Sequence, residues 1–143
     1  MALNHDRIGH RYPSYRYEVS REKVREYALA TGVRDEAYQR DDGDLVAPPT
    51  FAACFTVTYG VERLLRDPHL GAHSRLVHGK QEYDFHRPLV LGDVLECSPW
   101  LTDITTRRGN DFVTLQTDCV DARNGEAIVT SRMTLVFLGP PEA

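Results

Sequence analysis

Hydrophobic and polar residues alternate near the start of the chain. Tyr15, Tyr17 and Val19 fall between Ser14, Arg16 and Glu18, a period of two that predicts a half-buried strand over 14–19. The period then changes: Val24, Tyr27, Ala28 and Thr31 recur at helical spacing, Ser20 stands ahead as an N-cap with Glu22 in the first turn, and Gly32 follows as a stop. An amphipathic helix is predicted between them. From 33 to 46 the chain is polar, and Arg40-Asp41-Asp42-Gly43-Asp44 reads as an exposed loop that lacks the glutamate at the twelfth position needed for a calcium loop.

Pro48-Pro49-Thr50 is a stop followed by a capping residue, and no charged side chain occurs from 51 to 61. Thr56, Val57 and Thr58 would suit a strand, but the length of the run and the closing Arg66-Asp67-Pro68 predict a helix over 50–66. A helix apolar almost all round must be enclosed by protein. Gly60 inside it costs about 1 kcal/mol of propensity relative to alanine, which suits a close approach by a neighbour. Downstream the pattern is a strand meander. Tyr83 and Phe85 alternate with Glu82, Asp84 and His86, residues 87–93 form a crossover loop, and strands are predicted over 94–106, 112–120 and 126–138. They are joined by turns at 107–111 and at Asn124-Gly125, a pair preferred where both turn residues need positive φ. The fold class is therefore α+β: a curved antiparallel β-sheet wrapped around a long central α-helix, the hot-dog arrangement, with a barrel carrying an external helix as the alternative.

Composition narrows the function classes. The 143 residues suit one domain with a full core, expected over 1–143. A net charge of -4 with scattered basic residues argues against nucleic acid as a partner. Cys54, Cys97 and Cys119 are odd in number with no CxxC, which suits reduced thiols in core or strand positions. The start has no apolar signal core and no stretch long enough to span a bilayer, so a soluble, cytoplasmic protein with no membrane contact is expected; only residues 139–143 read as a disordered end. Neither GxGxxG nor GxxxxGKS occurs, so no nucleotide cofactor is expected, and no GxSxG nucleophile elbow is present.

Three blocks carry a family resemblance: Arg21-Glu22-Lys23-Val24-Arg25-Glu26-Tyr27-Ala28, Leu45-Val46-Ala47-Pro48-Pro49-Thr50-Phe51, and the stretch from Leu76-Val77-His78-Gly79-Lys80 through Arg87-Pro88 to Gly92-Asp93. Together they resemble the MaoC-like dehydratases, and within them the FAS1-like dehydratase domains. The resemblance implies hot-dog domains paired into a double hot dog, acting on 3-hydroxyacyl or trans-2-enoyl thioesters of acyl carrier protein or coenzyme A. It also implies an aspartate and a histidine in a Gly-Asp-x-x-Pro-x-His pattern. The chemistry needs both, because the α-proton must be removed and the β-hydroxyl protonated at neighbouring carbons, while a backbone N–H holds the thioester oxygen.

Laid on this chain, the pattern fails at its reactive positions. Gly32 matches, but the aspartate position falls on Val33, the histidine position on Tyr38, and the glycine ahead of the central helix on Pro49. Valine exchanges no proton, a phenol of ordinary pKa near 10 is a poor base at neutral pH, and proline has no N–H. The resemblance then implies the accessory, non-catalytic subunit of a heterodimeric (3R)-hydroxyacyl-ACP dehydratase of fatty-acid or polyketide synthesis. Its partner would be a catalytic MaoC-like subunit, and Thr50, Phe51, Cys54, Phe55, Thr58 and Tyr59 of the uncharged helix would wall the acyl channel. A non-catalytic acyl-thioester binding module or homodimeric scaffold is the alternative. A hot-dog thioesterase would have to use Glu62, the sole carboxylate of that helix, which a surface ion pair beside Arg63 explains as well.

Other titratable groups carry weaker signals. His69 and His73 have zinc-pair spacing, but Pro68 and Gly71 break a helix there and no third ligand follows, so no metal is expected. Asp84 and His86, two apart on a strand, share a face on which a carboxylate could orient an imidazole. His78 opens a strand, and Arg107-Arg108 is a local basic cluster open to an acidic carrier protein.

Overall fold

In the computed structural model, which describes residues 2–141, the alternating tyrosines form β1 (Tyr15–Glu18), with Tyr15 and Tyr17 half-buried and Arg16 and Glu18 exposed. Helix α1 (Arg21–Thr31) follows. Ser20 Oγ accepts the Lys23 N–H at 3.3 Å, and at the other end Gly32 takes a φ of 74° while its N–H reaches the Ala28 carbonyl. Both ends lie where the cap and the glycine predict them.

The uncharged run starts differently from expectation. Pro49–Ala52 is a short 3-10 turn, and α2 (Ala53–Arg66) begins only after it. Thr50 does not cap the helix; its hydroxyl instead accepts a hydrogen bond from the Tyr27 hydroxyl at 2.7 Å. The buried stripe of α2 is Phe55, Thr56, Gly60 and Leu64, whereas Thr58 and Leu65 are exposed and Cys54, Val57 and Val61 half-buried. The helix is thus covered on one side and not, as its composition predicts, all round. One sheet face covers one helix face, and the other is left half-buried to exposed among the described residues.

Four further strands complete the sheet: β2 (Leu76–Phe85), β3 (Val94–Arg107), β4 (Asn110–Asp121) and β5 (Ala127–Phe137). Their order is β1-β3-β4-β5-β2, antiparallel throughout. The sheet is open, with β1 and β2 as its edges, which excludes the closed barrel. Strand β2 runs well upstream of the alternating Tyr83 and Phe85. As a solvent-facing edge it lacks the two-faced burial that makes a strand legible.

Burial alternates cleanly along β4, while β5 opens with the adjacent buried pair Ile128 and Val129 and β3 shows one interruption. The register slips between Leu101 and Asp103, a bulge that lets Leu101 and Ile104, three apart, both point into the core. Both hairpin turns lie where expected, but the pair of left-handed residues falls in the first and not at Asn124-Gly125. Positive φ at both central residues occurs at Arg108 (51°) and Gly109 (76°). The Asn124-Gly125 turn belongs instead to a longer loop in which only Gly125 is left-handed and its N–H reaches the Asp121 carbonyl at 2.7 Å. The tail is partly anchored, since the Gly139 N–H donates to Asn110 Oδ1 at 2.8 Å; of the predicted disordered end, Glu142 and Ala143 lie outside the described residues.

The sheet curves around α2 as a hot dog. One cluster, with Val24, Leu45, Phe51, Phe55, Leu95 and Ile128, packs the leading end of the helix; another, with Leu64, Leu101, Leu115, Met133 and Phe137, packs its trailing end. Between them Gly60 brings the helix onto the sheet: a Cβ there would stand 2.8 Å from a Leu115 methyl and 3.1 Å from the Met133 methyl. Cys97 and Cys119 face each other across β3 and β4 as buried free thiols. No helix among the described residues is long and apolar enough to cross a membrane.

Candidate functional site

The segment before α2 is pinned to the crossover loop. The Ala47 N–H donates to the Leu89 carbonyl and the Leu91 N–H to the Leu45 carbonyl, both at 2.9 Å. This short ladder holds Pro48-Pro49 at the mouth of a mostly apolar cavity of about 470 Å³, whose walls include Tyr38, Ala47, Pro49, Phe85, His86 and Leu89. Tyr38 reaches it from a 3-10 turn, Glu36–Tyr38, capped by Asp35, whose Oδ1 accepts the Ala37 N–H. Pro49 presents no donor to the cavity.

Of the three positions at which the resemblance expects a reactive group, Tyr38 and Pro49 both line this cavity. Val33 lies apart in a smaller hollow of about 270 Å³ with Ala28, Leu29 and Gln39, and its carbonyl accepts the Gln39 side-chain amide at 2.7 Å. The helix residues expected along an acyl channel divide by helical face. Phe51 and Phe55 have no exposed surface and pack in the core, Phe55 stacked on Tyr17 at 4.8 Å between centroids. Thr50 and Thr58 are exposed and Cys54 half-buried on the uncovered flank, with the Cys54 thiol pushed up in pKa by burial. Tyr59 lies further along, stacked on Tyr15.

The paired strand residues do not act on each other. Asp84 Oδ2 accepts from Arg132 at 2.6 Å, while His86 falls just beyond β2 at the cavity wall. Glu62 pairs with Arg66 at 3.0 Å, not with its neighbour Arg63. His78 Nε2 lies 3.1 Å from Gln81 Oε1, and His73 Nδ1 accepts the Arg75 N–H. Among the described residues no three His, Cys, Asp or Glu side chains converge as a metal site would require.

A model of the FAS1-like, dehydratase domain region matches residues 6–131. The chain belongs to this family of FAS1-like dehydratase domains. A UPF0336 protein of Saccharopolyspora erythraea is 38% identical over 99% of this chain and 96% of its own length. Among solved structures, the C-terminally truncated HadBC (3R-hydroxyacyl-ACP dehydratase) complex of Mycobacterium tuberculosis is 26% identical with a TM-score of 0.77, covering 92% of this chain and 97% of that one. A MaoC-like dehydratase is 29% identical with a TM-score of 0.80, matching 93% of this chain but 42% of its own.

In this FAS1-like domain a carboxylate–guanidinium network that no single local motif marks holds the cavity wall in place. Buried Asp93 accepts from both terminal nitrogens of Arg87, at 2.8 and 3.0 Å, and from the Val90 N–H at 2.8 Å. Asp121 accepts the Arg123 backbone N–H and guanidinium at 2.9 to 3.1 Å and a longer 3.4 Å contact from Arg87. Arg123 holds the Asp121 carboxyl at about 2, with Arg87 adding to the effect. The cluster ties the crossover loop to the end of β4. The signal was present as the Arg87-Pro88 and Gly92-Asp93 pieces of one block, but their contact with Asp121 spans the sheet and has no local trace.

Proposed function

We propose that this chain is the non-catalytic subunit of a (3R)-hydroxyacyl-thioester dehydratase, lending a wall of the acyl pocket to a catalytic MaoC-like partner. One observation carries the reading: the apolar cavity ahead of α2 has a phenol at Tyr38 and a proline at Pro49 where the reaction needs a base and an amide donor. In the dehydration, a base on the partner removes the α-proton, the C–H electron pair becomes the new double bond, and an acid on the partner protonates the departing β-hydroxyl so that it leaves as water. This chain supplies neither group. It supplies apolar surface at Ala47, Phe85 and Leu89, and the Arg87–Asp93 clamp that keeps that surface in register.

Two further features support a partner. The uncovered flank of α2, running through Cys54, Val57, Thr58, Val61 and Leu65, carries no charge. Strand β2 is a free edge of ten residues with Val77 and Phe85 exposed, and an unpaired edge is a template for a strand from another chain. The HadBC structure bears a dehydratase complex in its name, and the matched MaoC-like dehydratase is more than twice the matched length, both in keeping with a domain that works as part of a larger body.

The test is co-expression with a MaoC-like subunit from the same organism that retains its aspartate and histidine. Stable co-purification, with hydration of a trans-2-enoyl thioester by the pair and none by this chain alone, is the expected result. A chain that binds acyl thioester alone and enters no complex would establish the binding module instead.

A further inference from the structure

A second cavity of about 470 Å³ lies toward the opposite end of α2, between Tyr59, Arg63 and Arg66 of the helix and Arg7, Tyr12 and Tyr15 of the N-terminal stretch. Tyr59, expected along the acyl channel, lines this cavity instead, and the proposed acyl wall at Ala47, Phe85 and Leu89 makes no use of it. Its aromatic wall is ordered: the Tyr15 and Tyr59 rings stack at 4.6 Å with an interplanar angle of 14°, and the Arg63 guanidinium carbon lies 4.4 Å from the Tyr15 centroid.

Charge in the cavity is unevenly settled. Asp67, buried at its floor, is satisfied by Arg7 at 3.0 Å, the Tyr12 hydroxyl at 2.7 Å and the His69 N–H at 2.9 Å. Glu62 is paired with Arg66. Arg63 has only neutral partners, the carbonyls of Pro13 at 3.0 Å and Tyr59 at 3.2 Å, and forms no ion pair among the described residues. Although the whole chain carries -4, the cavity wall holds three arginines, Arg7, Arg63 and Arg66, against two carboxylates, Glu62 and Asp67, with His10 beside them. The local field therefore favours an anion. An arginine fork matches the geometry of phosphate and carboxylate, and the volume falls within the range of small-molecule sites, about 300–1,000 Å³.

We propose that this cavity is a binding site for a small organic anion, a flat aromatic body bearing one phosphate or carboxylate, with the charge against Arg63 and the body against the Tyr15–Tyr59 stack. The site is independent of the acyl cavity and stands or falls separately from it.

Amide NMR titration of the folded chain with phenyl phosphate, benzoate and inorganic phosphate tests it. The two aromatic anions are expected to give saturable shifts at residues 12–15 and 59–67 and none at 85–89, inorganic phosphate a much weaker response, and the ranking of the first two identifies the preferred headgroup. Arg63→Gln weakens binding about tenfold or more, and Tyr59→Leu weakens it as well. Because Arg63 also tethers Pro13, Arg63→Lys serves as the control that keeps the charge and retains more affinity than Arg63→Gln. No saturable shift from either aromatic anion up to about 10 mM, or shifts that map elsewhere on the native chain, overturns the proposal.

Discussion

Asp93 is buried with both oxygens taken by Arg87, and removing it strands a one-third-exposed guanidinium and the Val90 N–H together. Asp93→Ala is expected to cost about 2–3 kcal/mol in urea unfolding and to loosen the loop that walls the cavity ahead of α2. The acid limb of stability follows from Asp121 and Asp67. Burial raises the Asp67 carboxyl, but Tyr12, the His69 N–H and Arg7 overcome it and leave the group lowered; Asp121 is held at about 2 by Arg123. Both folded-state values lie below the unfolded value of about 4. The stability they contribute is therefore complete above about pH 4 and is lost as pH falls from there through about 2. Urea midpoints measured from pH 5 downward should drop across that window, and Asp121→Asn should flatten the drop. On the proposed function Tyr38 walls the cavity ahead of α2 and takes no part in catalysis, so Tyr38→Phe in the assembled pair is expected to hold kcat within about threefold. A loss of several orders of magnitude would place catalysis on this chain.

At the scale of elements, the sequence was most legible where a local signal is sufficient. Ser20 and Gly32 bound α1 because a cap and a left-handed glycine act on their own backbone. The positions of both hairpin turns were legible but the character of the Asn124-Gly125 turn was not, because turn type depends on how many residues the register leaves unpaired. Asn124-Gly125 has the pair favoured for two left-handed residues, yet Arg108-Gly109 is where the ladder closes on a two-residue loop. Among the described residues Arg108 is thus the one non-glycine residue with positive φ. Arg108→Asn is expected to raise stability by about 0.5–1 kcal/mol, read as an increase in Tm. The close approach at Gly60 was legible as an anomaly of propensity, but its partners Leu115 and Met133 come from strands more than fifty residues away. Gly60→Val is expected to lower stability by about 2 kcal/mol or more through overpacking, with the urea midpoint as the measurement.

For the whole molecule, the hot-dog architecture followed from the order of the elements, a long uncharged helix ahead of a strand meander. The candidate site was only partly legible. Tyr38 and Pro49 do share a cavity, but Val33 lies outside it, and Phe51 and Phe55 turn to the core because helical phase separates them from Thr50, Cys54 and Thr58. The basic cavity at the other end of α2 left no motif at all, since Tyr15 and Arg63 are brought together only by the packing of β1 against the helix. The sheet order β1-β3-β4-β5-β2 also sets a gradient of local opening. Strands β4 and β5 are paired on both sides, and β3 is so over Val94–Cys97 where β1 covers it, so the amides there should exchange with deuterium only when the molecule opens globally. Along β2 the pattern should be a comb. In an antiparallel edge strand every second N–H donates inward and the next points outward with nothing to hold it, so slow and fast amides should alternate from Leu76 toward Phe85, interrupted at the register shift between His78 and Lys80. Slowing of the outward teeth of that comb when a second chain is added would register the arrival of a partner strand, one amide at a time.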